Sequence, residues 1–162
     1  MRFGTIKASA ALIFVLLLSV LLSSCSGQNS LNDRTIDIEK AGAALVECSE
    51  FDDNLRSVPL SMLSSIIGDI GAIKEASAYM AESGATAEAV MVMKCDNSED
   101  AAAVKKLAES YRDTQKHLFE SYNPNEVPKL ENAVIETKGL YVLYAVGKNI
   151  DSVKQVFSGL FE

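Results

Sequence analysis

The sequence is poor in the residues on which many catalytic and metal sites depend. It has no tryptophan, one histidine, three prolines and three cysteines, and its 22 acidic residues outnumber its 15 basic ones. The net charge is −7, and removal of a leader containing Arg2 and Lys7 would leave 13 basic residues and a charge of −9. Such a surface repels phosphate backbones, so we expect no nucleic-acid binding. No CxxC motif is present, which argues against a thioredoxin-type redox site and a structural zinc site.

Motifs for common catalytic machinery are also missing. The sequence lacks HExxH, GxSxG and P-loop patterns and a recognisable Ser-His-Asp set. His117 lies off the apolar stripe of its predicted helix, so we expect a solvated surface side chain. The acidic pairs Asp52-Asp53 and Glu99-Asp100 lack the alternating spacing of a calcium loop, and the second pair suits a helix amino terminus. We therefore expect no cofactor, no metal and no enzymatic activity.

The first 24 residues have the layout of a secretory signal peptide. Two basic residues precede an uncharged apolar run over residues 8–22, and small residues follow it. As a helix this run would cover only about 22 Å, whereas the hydrocarbon core of a bilayer is about 30 Å thick. No basic cluster follows the run either. A permanent transmembrane helix is thus the weaker interpretation.

The end of the apolar run, Leu22-Ser23-Ser24-Cys25, resembles a bacterial lipobox. The resemblance implies cleavage before Cys25, a diacylglycerol thioether on its sulfur, and acylation of the new amino terminus with a fatty acid such as palmitate. Several acyl chains would anchor the protein stably to the extracytoplasmic face of the membrane. The alternative is an ordinary cleaved signal with a coincidental cysteine. Residues 25–35 then form the lipidated cysteine and a polar tether of about 17 Å.

The two remaining cysteines, Cys48 and Cys95, allow two interpretations. An even number of thiols in an exported chain is compatible with a disulfide, provided that the Cα atoms come within about 4.4 to 6.8 Å. Alternatively each cysteine is a small buried apolar residue, since Cys48 continues a helical stripe and Cys95 follows Met91 and Met93 on a strand.

Residues 36–162 are predicted to form one domain. Apolar periodicity indicates a helix over residues 37–50, a short helical stretch after Pro59 and a last helix capped by Asn149. A long helix begins at Asn97 or Ser98, and its apolar positions are 104, 107, 108, 111, 118 and 122. Alternating runs predict a hairpin of residues 73–80 and 87–95 and, after a loop with two prolines, a second hairpin of residues 133–137 and 140–146 that turns at Gly139.

This order predicts an α+β fold with two layers. Two hairpins make a four-stranded, mainly antiparallel sheet, on which about three amphipathic helices bury their apolar faces. Tyr141 and Tyr144 lie on opposite faces of the last strand. One should be in the core, while the other either packs across strands or forms a recognition surface on an open face of the sheet.

Several short segments resemble a family of bacterial lipoproteins, the domain-of-unknown-function family 4358. They are the run from Tyr122 to Glu126, the segments at residues 130–133 and 139–142, the acidic-apolar strand from Glu88 to Lys94, and the lipobox. One departure is that Glu88 is followed by Ala89 rather than by a β-branched residue. The family has no assigned chemistry, so the resemblance implies a location and a fold.

Two functional hypotheses follow. The first is a non-catalytic, lipid-anchored domain of the bacterial cell envelope that binds an envelope protein or a wall component. The second is a cell-wall enzyme or accessory subunit whose carboxylates come together only in the fold. Two carboxyl groups about 5 to 9 Å apart in a cleft would favour the second hypothesis.

Overall fold

The structure is a computed structural model that describes residues 35–162. The predicted signal peptide, Cys25 and all but the last residue of the tether lie outside the described residues. Residues 35–162 form an α+β domain with a five-stranded antiparallel sheet and five α-helices. Within this part of the chain no helix is both long and apolar enough to cross a bilayer.

Helices and hairpins are interspersed along the chain. The strands are β1 (Leu55–Val58), β2 (Glu75–Ala81), β3 (Ala89–Lys94), β4 (Val134–Lys138) and β5 (Tyr141–Val146). The helices are α1 (Ile38–Glu47), α2 (Leu60–Ile67), α3 (Ser98–Tyr122), α4 (Val127–Glu131) and α5 (Asp151–Gly159), and a 3-10 helix (Pro124–Glu126) precedes α4.

Both predicted hairpins are present. Strands β2 and β3 pair antiparallel, as do β4 and β5, and Gly139 turns the second hairpin with φ 57°. A positive φ is costly for residues with a Cβ, which explains why glycine occupies this turn. The sheet order is β1-β2-β3-β5-β4, so β3 and β5 are the inner strands that join the two hairpins.

The prediction of four strands and about three helices was incomplete. The four-residue strand β1 pairs with β2 at the edge of the sheet, from Leu55 opposite Ala81 to Val58 opposite Ala78. It is too short for alternation to reveal it. The segment after Pro59 is the helix α2, and the proline-containing segment that was expected to be a loop forms the 3-10 helix and α4.

The prediction of two layers was also wrong, because helices cover both faces of the sheet. On one face α1 and α5 pack on Val90, Val92 and Leu143. On the other face α2, α3 and α4 pack on the Met91, Met93 and Val142 side. Every residue of β5 is buried, which requires cover on both faces.

The tyrosines of β5 are therefore both in the core. The ring of Tyr141 lies 5.4 Å from that of Phe161, and the ring of Tyr144 lies 5.5 Å from that of Tyr111. Their exposed fractions are 4% and 1%, so neither forms a recognition surface on an open face.

Side chains cap the amino ends of α1 and α3, but the cap predicted for the last helix is absent. The side chain of Asp37 caps α1, and that of Asn97 caps α3 by accepting a hydrogen bond from the Asp100 amide at 2.9 Å. Asn149, in contrast, does not cap α5, which begins at Asp151 without a side-chain cap.

The two ends of the sheet differ in what lies beside them. At the Tyr141 end, Tyr141 pairs with Lys94 and Lys138, and its hydroxyl accepts a hydrogen bond from the Ile36 amide at 3.2 Å. At the Val146 end, Val146 pairs with Ala89. The described chain thus starts at the Tyr141 end.

Candidate functional site

An open, largely apolar cavity lies at the Val146 end of the sheet, between the β2–β3 loop and the second half of α3. It has a volume of about 390 Å³, and we call it the α3 cavity. Met80 and Ala81 at the end of β2, with the loop residues that follow, form one wall. The other wall consists of the α3 residues Tyr111, Gln115, Leu118, Phe119 and Tyr122.

The cavity exists because α3 is longer than the strands beneath it. At 1.5 Å per residue its 25 residues extend about 37 Å, whereas the six residues of β5, on which it packs, extend about 20 Å. The last turns of α3 therefore lack a sheet to cover them. Leu118 remains 58% exposed and Tyr122 68% exposed.

This exposure corrects the predicted apolar stripe of α3. Positions 118 and 122 were expected to be buried with 104, 108 and 111, but Phe119 is the buried residue in the last part of the helix, at 6% exposure. Leu118 and Tyr122 instead face the cavity. Contiguous apolar surface of this kind is typical of binding sites.

A group of charged side chains, three of them about nine-tenths or more buried, lies beside the cavity. The ammonium of Lys129, whose side chain is 10% exposed, contacts Asp52 at 2.8 Å and Glu88 and Glu126 at 3.0 Å each. Lys148 contacts the second oxygen of Asp52 at 2.7 Å. We call these five residues the lysine cluster, and Glu88 belongs both to the cluster and to the cavity lining.

Contacts within the cluster keep Lys129 and Asp52 charged. Desolvation lowers the pKa of Lys129, but the hydrogen bonds to Asp52, Glu88 and Glu126 outweigh it and raise the pKa above its ordinary value. Hydrogen bonds from Lys129 and Lys148 lower the pKa of Asp52 to about 2. At neutral pH Lys129 and Asp52 are therefore both charged.

The carboxylates of the cluster also bind backbone amides of nearby loops. Glu88 Oε2 accepts hydrogen bonds from the amides of Asp52 at 2.8 Å and Asp53 at 3.0 Å. Glu126 Oε2 accepts one from the amide of Ala87 at 3.0 Å. The side chain of Glu88 has no exposed surface, and that of Glu126 is 8% exposed. Carboxylates held in this way organise loops and offer little access to a substrate.

The residues singled out from the sequence are not brought together. The side chain of His117 is 77% exposed, and its nearest charged partner is Glu120 at 3.3 Å on the same helix. Asp53 binds the amide and hydroxyl of Ser83, and Asp100 belongs to the cap of α3. Over residues 35–162, no three His, Cys, Asp or Glu side chains gather into a group suited to a metal ion.

The two described cysteines are free and pack on opposite faces of the sheet. Cys95 belongs to the core under α3, where burial raises the pKa of its thiol to about 11. Cys48 packs at the edge of the core that contains α1 and α5, and its thiol contacts the Leu45 carbonyl at 3.2 Å. Each is thus an apolar packing residue in this structure.

Sequence reasoning missed Glu88, Glu126 and Lys129 as partners. They are separated by 38 and 3 residues along the chain, so no local pattern relates Glu88 to the other two. A signal was nevertheless present. Glu88 is a charged residue inside an otherwise apolar run, and Glu126 closes the Tyr122–Glu126 segment that suggested the family resemblance.

Comparison with known proteins supports that resemblance over part of the chain. Residues 71–147 match the model of a family described as Domain of unknown function (DUF4358). This range runs from just before β2 to the end of β5 and includes Glu88, Glu126, Lys129 and the whole α3 cavity. A search of curated proteins gave no match, and a search of solved structures gave none.

Proposed function

We propose that this protein is a lipid-anchored, extracytoplasmic domain of the bacterial cell envelope that binds another envelope protein through the α3 cavity without catalysing a reaction. The observation that carries the binding role is the exposure of Leu118 and Tyr122 beside an open apolar cavity. Leaving large apolar side chains in water is unfavourable, so a surface of this kind gains free energy when a partner covers it.

The proposed anchor rests on sequence alone, while the described domain begins away from the cavity. The anchor rests on the resemblance of residues 22–25 to a lipobox. The described domain begins beside Tyr141, because the Ile36 amide binds the hydroxyl of that residue. The cavity lies at the opposite, Val146 end. The start of the described domain and the cavity thus lie at opposite ends of the sheet.

The lining of the cavity indicates the chemistry of the partner. Its single charged residue is Glu88, whose carboxylate is already occupied by Lys129 and by backbone amides. An uncharged apolar side chain is therefore the best occupant. Since the mature protein would carry a charge of −9, we expect the partner's apolar anchor to be flanked by basic residues.

Photo-crosslinking in cells tests this proposal. Replacing Tyr122 by p-benzoylphenylalanine keeps an aromatic side chain at the cavity mouth, and the same replacement at His117 is the matched control on another face of α3. We expect an adduct from position 122, at an apolar residue flanked by Lys or Arg, that is lost with Leu118→Asp. Identical adducts from both positions, or adducts insensitive to Leu118→Asp, would refute the proposal.

The enzyme hypothesis draws on one observation. Glu88 and Glu126 both contact Lys129 at 3.0 Å, so the fold does bring two carboxylates from distant segments together beside a cavity. Complementation of a deletion strain by Glu88→Gln and Glu126→Gln separates the two functions. Loss of the cellular role at unchanged abundance, with the position 122 adduct retained, would favour the enzyme.

A further inference from the structure

One wall of the α3 cavity is a loop without regular secondary structure. Residues 82–88 connect β2 to β3, and Gly84, Thr86, Ala87 and Glu88 among them line the cavity. The opposite wall is the helix α3, so the width of the cavity depends on where this loop is held relative to α3.

Two hydrogen bonds join the loop to the segment that directly follows α3. The amide of Ala87 donates to Glu126 Oε2 at 3.0 Å, and Asn123 Nδ2 donates to the carbonyl of Ala85 at 3.1 Å. Asn123 is the residue at which α3 ends, and Glu126 lies in the 3-10 helix after it. The bonds therefore span the gap between the two walls.

The lysine cluster holds Glu126 in the orientation that this bridge needs. Lys129 lies three residues after Glu126 and contacts the same Oε2 atom at 3.0 Å. Lys129 is itself held by Glu88 at the base of the loop and by Asp52 in the chain between α1 and β1. One oxygen of Glu126 thus forms a buried ion pair with Lys129 and also accepts the hydrogen bond from the Ala87 amide.

Ser83 and Thr86 in the loop form hydrogen bonds that involve neither α3 nor Glu126. Asp53 accepts hydrogen bonds from the amide and hydroxyl of Ser83, and Glu88 accepts one from the Thr86 hydroxyl at 3.4 Å. The Ser83 contacts attach the start of the loop to the chain before β1, and the Thr86 contact lies within the loop. The contacts of Glu126 and Asn123 are the ones that tie its middle to the end of α3.

We propose that Glu126 is a positioning residue that holds residues 82–88 at a fixed distance from α3 and so sets the width of the α3 cavity. Its relevance to binding rests on the proposed function, but the positioning role does not require a ligand. Without Glu126 the Ala87 amide loses its acceptor, and the loop keeps the Asn123 bond at Ala85 and the ion pair of Glu88 with Lys129 at its base.

Hydrogen exchange of the full chain in detergent, followed by mass spectrometry of peptides, tests the role directly. We expect Glu126→Ala to accelerate exchange of the amides in residues 82–88 about tenfold, the factor for loss of one buried hydrogen bond. Glu126→Gln retains an acceptor for the Ala87 amide and should restore most of the protection. The control is Glu136→Ala, which removes the 2.6 Å contact with Lys154 and should leave residues 82–88 unchanged.

A second variant tests the proposal even if Glu126→Ala does not fold. Asn123→Ala removes the bond to Ala85 while keeping the buried cluster intact, and it should accelerate exchange in the same loop by a smaller factor. Unchanged exchange in residues 82–88 for both Glu126→Ala and Asn123→Ala would overturn the proposal, as would equal acceleration by Glu126→Ala and Glu126→Gln. Failure of the position 122 crosslink would overturn the proposed function and leave the exchange result standing.

Discussion

Replacing Lys129 by methionine is the sharpest test of the lysine cluster. The change keeps an unbranched apolar side chain, one atom shorter, but removes the one charge that contacts three carboxylates. Asp52, Glu88 and Glu126 carry three negative charges against the two of Lys129 and Lys148, so the variant would hold three against one. The side chain of Glu88 is fully buried and cannot recover this loss from water.

The expected loss of stability follows from that burial. Removing one partner of a buried ion pair costs about 3–5 kcal/mol, because the remaining charge is left uncompensated. A domain of this size typically has a free energy of unfolding of about 5–15 kcal/mol, so the loss is large. Because the pKa of Lys129 is raised, its stabilisation is fully present below the unfolded pKa of about 10.5 and is lost as the pH rises through the higher folded pKa.

Urea denaturation of residues 36–162, followed by circular dichroism because the chain has no tryptophan, measures the effect. Lys154→Met is the matched control, since its pair with Glu136 is half exposed at the lysine and should contribute only about 0–1 kcal/mol. Adding Glu88→Gln to Lys129→Met should recover part of the loss. If Lys129→Met lowers the free energy of unfolding no more than Lys154→Met does, the cluster does not stabilise the fold as we infer.

Three further predictions concern single residues. Gly139→Val should destabilise the domain by about 1–3 kcal/mol because φ at this turn is 57°, and a melting temperature equal to the parent's would contradict this. Asp52, whose pKa is lowered to about 2, should contribute stability above its unfolded pKa near 4 and lose it as the pH falls to 2. Between pH 4 and 2 the free energy of unfolding of Asp52→Asn should therefore depend less steeply on pH than that of the parent. His117→Ala, at an exposed residue, should keep the pH dependence of the parent. Cys25→Ala should abolish incorporation of radiolabelled palmitate and leave the precursor unprocessed, while Cys48→Ala should change neither, and equal labelling of Cys25→Ala and the parent would exclude lipidation at this residue.

Local sequence patterns predicted much of the fold. The alternation in residues 87–95 and the glycine of the second hairpin identified β2 to β5, and Asn97 identified the start of α3. These features depend on neighbours a few residues apart, because side chains alternate along strands and caps act within one turn. The edge strand β1 escaped detection because its four residues are a strand only by pairing with β2.

The covering of both sheet faces was beyond local patterns. The sequence shows which side of a helix is apolar, but which face of the sheet it covers depends on the path of the chain. Both tyrosines of β5 are consequently buried, although the alternation of that strand allowed one of them to face water. Fully buried inner strands are characteristic of a sheet with helices on both faces.

The sequence alone determined the acidic composition, the helix and strand types, the turn at Gly139 and the lipobox-like motif. The tertiary structure decided the candidate site. It placed the end of α3 beyond the sheet, which exposes Leu118 and Tyr122, and it brought Glu88 to Lys129 across 41 residues. Ion pairs and cavity walls depend on distances in space between segments far apart in the chain, and chain folding alone sets those distances.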